Sequence, residues 1–144
     1  MTVNFPNLFS PISIGKYTFK NRIMNTAHGA RFQTSSGVPT DRYVDYVHER
    51  AKGGCGSIVT GFTVPFRDGD PTRSLANFDD TVVPIYQRMS GATHEHDVPL
   101  LVQLGHRGRR VSGYLGRPMN APSAVPAPDF SSPQMVPHVM TTNE

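Results

Sequence analysis

Three short apolar runs and two helical repeats organise the first hundred residues. Residues 21–27 (NRIMNTA) read as a strand running into His28, with Gly29 permitting a turn or a close backbone approach. Residues 57–61 (SIVTG) read as a second apolar strand, and residues 98–104 (VPLLVQL) as a third, almost wholly apolar one. Ahead of them, residues 8–20 (LFSPISIGKYTFK) alternate short apolar runs around Gly15, which predicts a small hairpin.

The helical repeats fall between the strands. Thr40 suits an N-cap, and Asp41 suits the positive end of a helix dipole. Val44, Val47 and Ala51 recur at helical spacing with Tyr43 beside them, so residues 40–52 form an amphipathic helix that the run GGCG, 53–56, stops. A second helix is predicted over 82–95, with Pro84 acceptable only in its first turn. Tyr86, Met89 and Thr93 give it a partial buried stripe, and Gly91 weakens it. Residues 64–80 read as a polar loop, with RDGDP as its turn signal.

The order is hairpin, strand, helix, strand, helix, strand. Apolar strands separated by helices imply an α/β fold with parallel pairing and both sheet faces covered. A doubly wound sheet and a (β/α)8 barrel both fit this order, and three strands cannot close a barrel. Beyond Arg117 the pattern stops. Six of the thirteen prolines lie between Pro118 and Pro137, so this stretch predicts a long extended loop without helix or strand. It ends in MTTNE, where Thr142 or Asn143 suits a helix N-cap. A chain that stops where a helix is due is expected to be a truncated portion of a larger domain.

Composition narrows the class. Hydrophobic residues make up 37% and charged ones 17%, which excludes a disordered chain. No apolar run approaches the roughly 20 residues of a membrane helix. No basic region followed by an apolar stretch marks a secretory signal, and the lone Cys55 cannot form an internal disulfide. A cytoplasmic protein without a membrane partner is expected. The net charge is +3, and Arg107, Arg109, Arg110 and Arg117 cluster within eleven residues. Such a patch can meet phosphates, but aromatic interleaving and nucleic-acid motifs are missing, so no nucleic-acid partner is expected.

Candidate chemistry gathers at the strand ends. Strand parity puts Leu101 and Gln103 on one face and Leu100, Val102 and Leu104 on the other. An amide at the carboxyl end of a buried strand stands where α/β folds place ligand contacts. Gln103 offers donors and an acceptor together, which matches a heterocycle edge with both carbonyl and N–H. Satisfaction by neighbouring loop backbone is the competing reading. Thr26, Ala27, His28 and Gly29 put small residues and one imidazole at the first strand end, and Gly61 and Phe62 stand at the second. Together they suit a flat ligand. Cys55 precedes its strand and reads as a small buried residue. Neither a metal site, a G-x-S-x-G elbow nor a phosphate-loop fingerprint is present, and Asp68 and Asp70 read as turn residues.

The ordered series LFSPISIGKYTFKNRI, AHG, ERAKGGCGSIVTG, QLGHRGR, PSAVPAP and MTTNE resembles the amino-terminal part of the Old Yellow Enzyme family of NADH:flavin oxidoreductases. NTAHGARF and RYVDYVHERAKGG resemble most the branch with 2,4-dienoyl-CoA reductases, trimethylamine dehydrogenase and N-methylproline demethylase-like enzymes. The resemblance implies an FMN-binding (β/α)8 TIM barrel, of which residues 1–144 are the first part: an amino-terminal hairpin and about three strands. It implies hydride transfer from NADH or NADPH through FMN to an activated alkene or enoyl substrate; amine demethylation and a non-catalytic half-barrel are the alternatives. The flavin contacts it implies are Thr26, Ala27, His28 and Gly29, then Phe62, where the family usually has a small residue, and Gln103 at the flavin pyrimidine edge. Gly29 stands where covalently flavinylated relatives carry cysteine, so that linkage is impossible here. No catalytic residue is expected within this segment. Any 4Fe-4S cluster belongs to the part beyond it, and the full-length protein is expected to act on a small molecule, as a homo-oligomer.

Overall fold

The computed structural model describes residues 4–66, 74–110, 119–127 and 136–143. A helical turn, Pro6–Phe9 (α1), leads into an antiparallel hairpin of Ile12–Ile14 (β1) and Tyr17–Phe19 (β2). Gly15 turns the hairpin at φ +58°, a conformation that side chains with a Cβ resist. Met24–Asn25 (β3), Asp41–Lys52 (α2) and Ser57–Val59 (β4) follow. Then come Thr63–Val64 (β5), Leu75–Ala76 (β6), Val83–His94 (α3) and Leu100–Leu101 (β7). Asn120–Ala121 (β8) and His138–Val139 (β9) close the order.

The centre is a parallel sheet ordered β3-β4-β7, with Met24 opposite Ser57 and Ile58 opposite Leu100. The helices α2 and α3 pack against each other and against this sheet. Tyr43, Val47 and Ala51 form the buried stripe of α2, and Val44 is half-buried beside them. They meet Cys55, Ile58, Leu75, Met89 and Val98 in one core. Fully burying such apolar side chains stabilises by about 1.5–3 kcal/mol each.

Local chemistry explains both helix starts. Thr40 holds the extended backbone of an N-cap, yet its hydroxyl donates to the Phe32 carbonyl at 2.6 Å instead of capping an N–H. It thereby ties α2 to the segment that leaves β3. A 3-10 turn at Asp80–Val82, capped by Asp79, precedes α3, and Pro84 sits in the first helical turn where its missing N–H costs nothing. Met89 and Thr93 are fully buried, so the partial stripe suffices despite Gly91.

Three expectations need correction. The polar loop over 64–80 holds buried Val64, Leu75 and Ala76, because β5 pairs in parallel with β6. The proline-rich stretch is not without strands, since β8 pairs in parallel with β9. Two-residue pairings carry no sequence period, which is why neither pair was visible as alternation. The third strand is shorter than expected, and Leu104 makes only an isolated bridge with Thr63. The RDGDP turn with Asp68 and Asp70, Arg117 and Glu144 lie outside the described residues; Thr142 and Asn143 form a turn. Among the described residues, no helix is long and apolar enough to cross a membrane.

Candidate functional site

The carboxyl ends of β3, β4 and β7 open onto one cleft of about 310 Å³. Ala27, His28 and Gly29 reach it from β3, Gly61 and Phe62 from β4, and Gln103 from β7. Thr26 is exposed beside the cleft and does not line it. The backbone there is fixed by hydrogen bonds that extend the ladder. Thr60 N–H donates to the Leu101 carbonyl at 2.8 Å, and Thr63 N–H to that of Gln103 at 2.9 Å.

Gln103 follows the parity of its strand. Val102 and Leu104 face a groove beside α3, whereas Gln103 faces the cleft. Its carbonyl is taken by Thr63, but its side-chain amide has no hydrogen-bond partner among the described residues. Loop backbone does not satisfy it. Two donors and an acceptor are therefore presented to the cleft.

The β4 end depends on a close approach. A Cβ added to Gly61 would lie 2.8 Å from the His28 carbonyl and 3.1 Å from the Tyr43 hydroxyl. Gly61 N–H donates to that hydroxyl at 2.7 Å. Tyr43 of α2 thus holds the β4 end, against which the His28 carbonyl lies close. Burial pushes its phenol pKa up, so it stays a neutral hydroxyl at ordinary pH. His28 is held from the same helix: its Nδ1 lies 2.8 Å from the Tyr46 hydroxyl, with the rings stacked.

Phe62 disposes of its bulk sideways. Its ring packs on Gly105, where an added Cβ would come within 2.3 Å of it. The Arg107 guanidinium covers the ring at 5.1 Å from its centroid and donates to Ser74 Oγ at 3.3 Å. Arg107, Arg31, Gln33, Tyr43 and Ser74 also line the cleft, and sequence reasoning gave them no part in it. A signal existed for Arg107 alone, in the basic cluster; its neighbour Arg109 instead donates to the Val125 and Pro126 carbonyls. Arg31 holds φ +57°, a strained conformation of the kind that clusters at functional sites. No acidic residue lines the cleft among the described residues, so two arginines favour an electron-rich or anionic ligand.

Cys55 belongs to the opposite end of β4. It is 8% exposed, its thiol donates to the Arg50 carbonyl at 3.2 Å, and burial pushes its pKa up. It is a packed, unreactive thiol.

Comparison with known proteins gives the family and the fold. Residues 7–144 match the family model of the NADH:flavin oxidoreductase / NADH oxidase family. The chain is 39% identical over 109 residues to the N,N-dimethylglycine/sarcosine dehydrogenase of Chromohalobacter salexigens, covering 74% of this chain and 16% of that protein. It is 34% identical to the multifunctional alkene reductase/demethylase OYE of Caballeronia cordobensis, covering 86% and 19%. The chain therefore spans less than a fifth of these relatives' length. The old yellow enzyme homologue from Zymomonas mobilis aligns at TM-score 0.82 and 28% identity, over 96% of this chain and 41% of that one. The old yellow enzyme from Trypanosoma cruzi aligns at TM-score 0.87 over 98% and 44%; at 23% identity this is a likeness of fold. With a profile match from residue 7 to the end and relatives above 30% identity, the chain belongs to the NADH:flavin oxidoreductase / NADH oxidase family.

Proposed function

We propose that this segment is the flavin-facing first part of an FMN-dependent oxidoreductase built on a (β/α)8 barrel. The observation that carries the reading is the convergence of residues 27–29, 61–62 and 103 on one cleft that no acidic residue lines among the described residues. The residues present fit the ring of FMN. Gly29 leaves open space around its Cα, the Gln103 amide is unengaged among the described residues, and Arg31 and Arg107 supply positive charge. The cleft volume is at the lower end of the roughly 300–1,000 Å³ of small-molecule sites, enough for a ring system rather than a whole nucleotide. Barrels place their phosphate site after strands seven and eight, outside this segment.

FMN, when bound, supplies reversible hydride transfer at its ring. The backbone of Ala27, His28, Gly29 and Phe62 would support the ring, with Thr26 flanking it, and the Gln103 amide would hold its pyrimidine edge. Arg107, steadied by Ser74 and Phe62, would favour negative charge on the reduced ring. A groove of about 670 Å³ along α3, lined by Val82, Tyr86, Val102 and Leu104, supports a further strand and helix packing there.

Two substrates remain. Reduction of an activated alkene at the expense of NADH or NADPH is the first. Oxidation of an N-methylated amine is the second, and it is favoured by the dimethylglycine/sarcosine dehydrogenase and by a probable N-methylproline demethylase of Rhizobium meliloti, 35% identical. Anaerobic mixing of the full-length holoenzyme with NADH, NADPH or sarcosine separates them. Bleaching by amine alone would end the alkene reading, and bleaching by nicotinamide alone would end the amine reading. Gln103→Leu is expected to weaken FMN binding about tenfold, the worth of one good hydrogen bond to a polar edge. Unchanged affinity and an unshifted flavin spectrum would remove Gln103 from the site.

A further inference from the structure

At the amino end of the sheet, three ligating side chains meet that are far apart in sequence. His48 stands on α2, and Glu95 and His96 follow directly on α3. The Nε2 atoms of His48 and His96 are 3.2 Å apart, and His48 Nε2 is 3.9 Å from Glu95 Oε2. One ligating atom from each of the three residues lies within 4.8 Å of the others. We propose that His48, Glu95 and His96 bind a divalent zinc-class ion that staples the carboxyl ends of α2 and α3.

The geometry suits such an ion. Zinc holds imidazole nitrogen at about 2.0–2.1 Å, which puts two ligands of a tetrahedral ion about 3.3 Å apart. The His48–His96 separation already has that value without movement of either helix. Two imidazoles and one carboxylate favour zinc, nickel or copper over magnesium or calcium. Three protein ligands leave a fourth position for water.

The surroundings help orient the ligands. Glu49 Oε1 lies 3.7 Å from His48 Nδ1, on the side where ligating histidines commonly keep a carboxylate. The His96 carbonyl accepts from Lys20 Nζ at 2.5 Å, and its N–H donates to the Thr93 carbonyl at 3.1 Å. Lys20 and Lys52, the latter 4.0 Å from Glu49, oppose a cation; Glu49 and Glu95 offset them. His48 is about one-third exposed and Glu95 mostly exposed, so an ion has a path from solvent. The residues lie 47 and 48 positions apart, a spacing no ligand motif contains. That is why the sequence assigned no metal. The site is independent of the flavin reading.

The test uses the full-length protein, freed of exchangeable metal with a chelator and titrated with Zn²⁺ and Co²⁺. The wild type should bind one equivalent more of each than a His48→Ala/His96→Ala double variant. It should also show a cobalt ligand-field band that the double variant lacks. Glu95→Gln, on an exposed side chain that folding does not need, should weaken binding at least about tenfold. At the same concentration, zinc should raise the Tm of the wild type more than that of Glu95→Gln. Equal stoichiometry, equal cobalt spectra and equal zinc-induced Tm shifts in wild type and variants would overturn the site and leave a plain histidine–histidine hydrogen bond.

Discussion

The two ends of the central sheet use the same small residues for opposite purposes. At the amino end, glycine admits tight packing. A Cβ on Gly56 would lie 2.3 Å from the Asn21 carbonyl, and Gly56 N–H donates to the Ile23 carbonyl at 2.7 Å. Asn21 locks the corner by donating to the Gly54 carbonyl and accepting from Ile23 N–H. At the carboxyl end, Gly29 has no atom within 4 Å of an added Cβ, and Thr26, His28 and Gln103 are exposed. The first end holds the fold, and the second leaves backbone and polar side chains accessible to a ligand, the division expected of parallel α/β sheets. Gly61 breaks the pattern as a close contact at the open end.

Matched substitutions test that division, beginning with the largest effect. Gly56→Ala drives a methyl into backbone and should cost about 3 kcal/mol, the upper range of overpacking. Denaturant melting of the full-length protein reads it. Gly61→Ala meets the His28 carbonyl and the Tyr43 hydroxyl at longer range and should cost about 2 kcal/mol. It also moves the cleft wall, so FMN affinity should fall with Gly61→Ala and survive Gly56→Ala. Equal loss of affinity in both would erase the distinction between the two ends.

Tyr43→Phe comes next. It leaves the buried Gly61 N–H without its acceptor, which should cost about 1–3 kcal/mol. Its pH dependence has a definite sign. Burial raises the folded pKa of Tyr43 above its ordinary value of 10.0, and that of Cys55 above 9.0. Both groups fold neutral, so their contribution is complete below those ordinary values and is lost as pH rises through the raised ones. The Tm should decline above about pH 9, and Tyr43→Phe should flatten the part of the decline that begins near pH 10.

What the sequence disclosed follows from the length of each signal. The α2 stripe repeats over a dozen residues, and the structure buries Val47 and Ala51 as the spacing implied, with Tyr43 more deeply buried than Val44. Gln103 could be aimed because strand parity survives beyond the last paired residue of β7. The pairs β5–β6 and β8–β9 could not be seen, since two residues form no period. Arg107 and Tyr43 were missed at the cleft for a different reason. One reaches it by folding back over Phe62, the other from the buried stripe of a helix. Neither placement exists until tertiary packing does. Phe62 looked too large for its position, and only contact with Gly105 explains how its ring is accommodated.

The smallest expected effect is the most informative about what covers α3. Gly91 lies inside that helix, is exposed, and has no atom within 4 Å of an added Cβ. Alanine there removes backbone freedom from the unfolded chain, and Gly91→Ala should stabilise by about 0.5–1 kcal/mol. The amino end of the sheet offers no such gain, because Gly53 and Gly56 are in contact and Gly54 holds φ +92°. Gly91 also lines the apolar groove shared with Val102 and Leu104, which the proposed barrel fills with its next unit. A higher denaturation midpoint for Gly91→Ala in the full-length protein means that this unit settles on Val102 and Leu104 without pressing on the helix backbone. A lower one means that it packs directly over Gly91, and the helix then owes its glycine to close approach, as β4 owes Gly56 to Asn21.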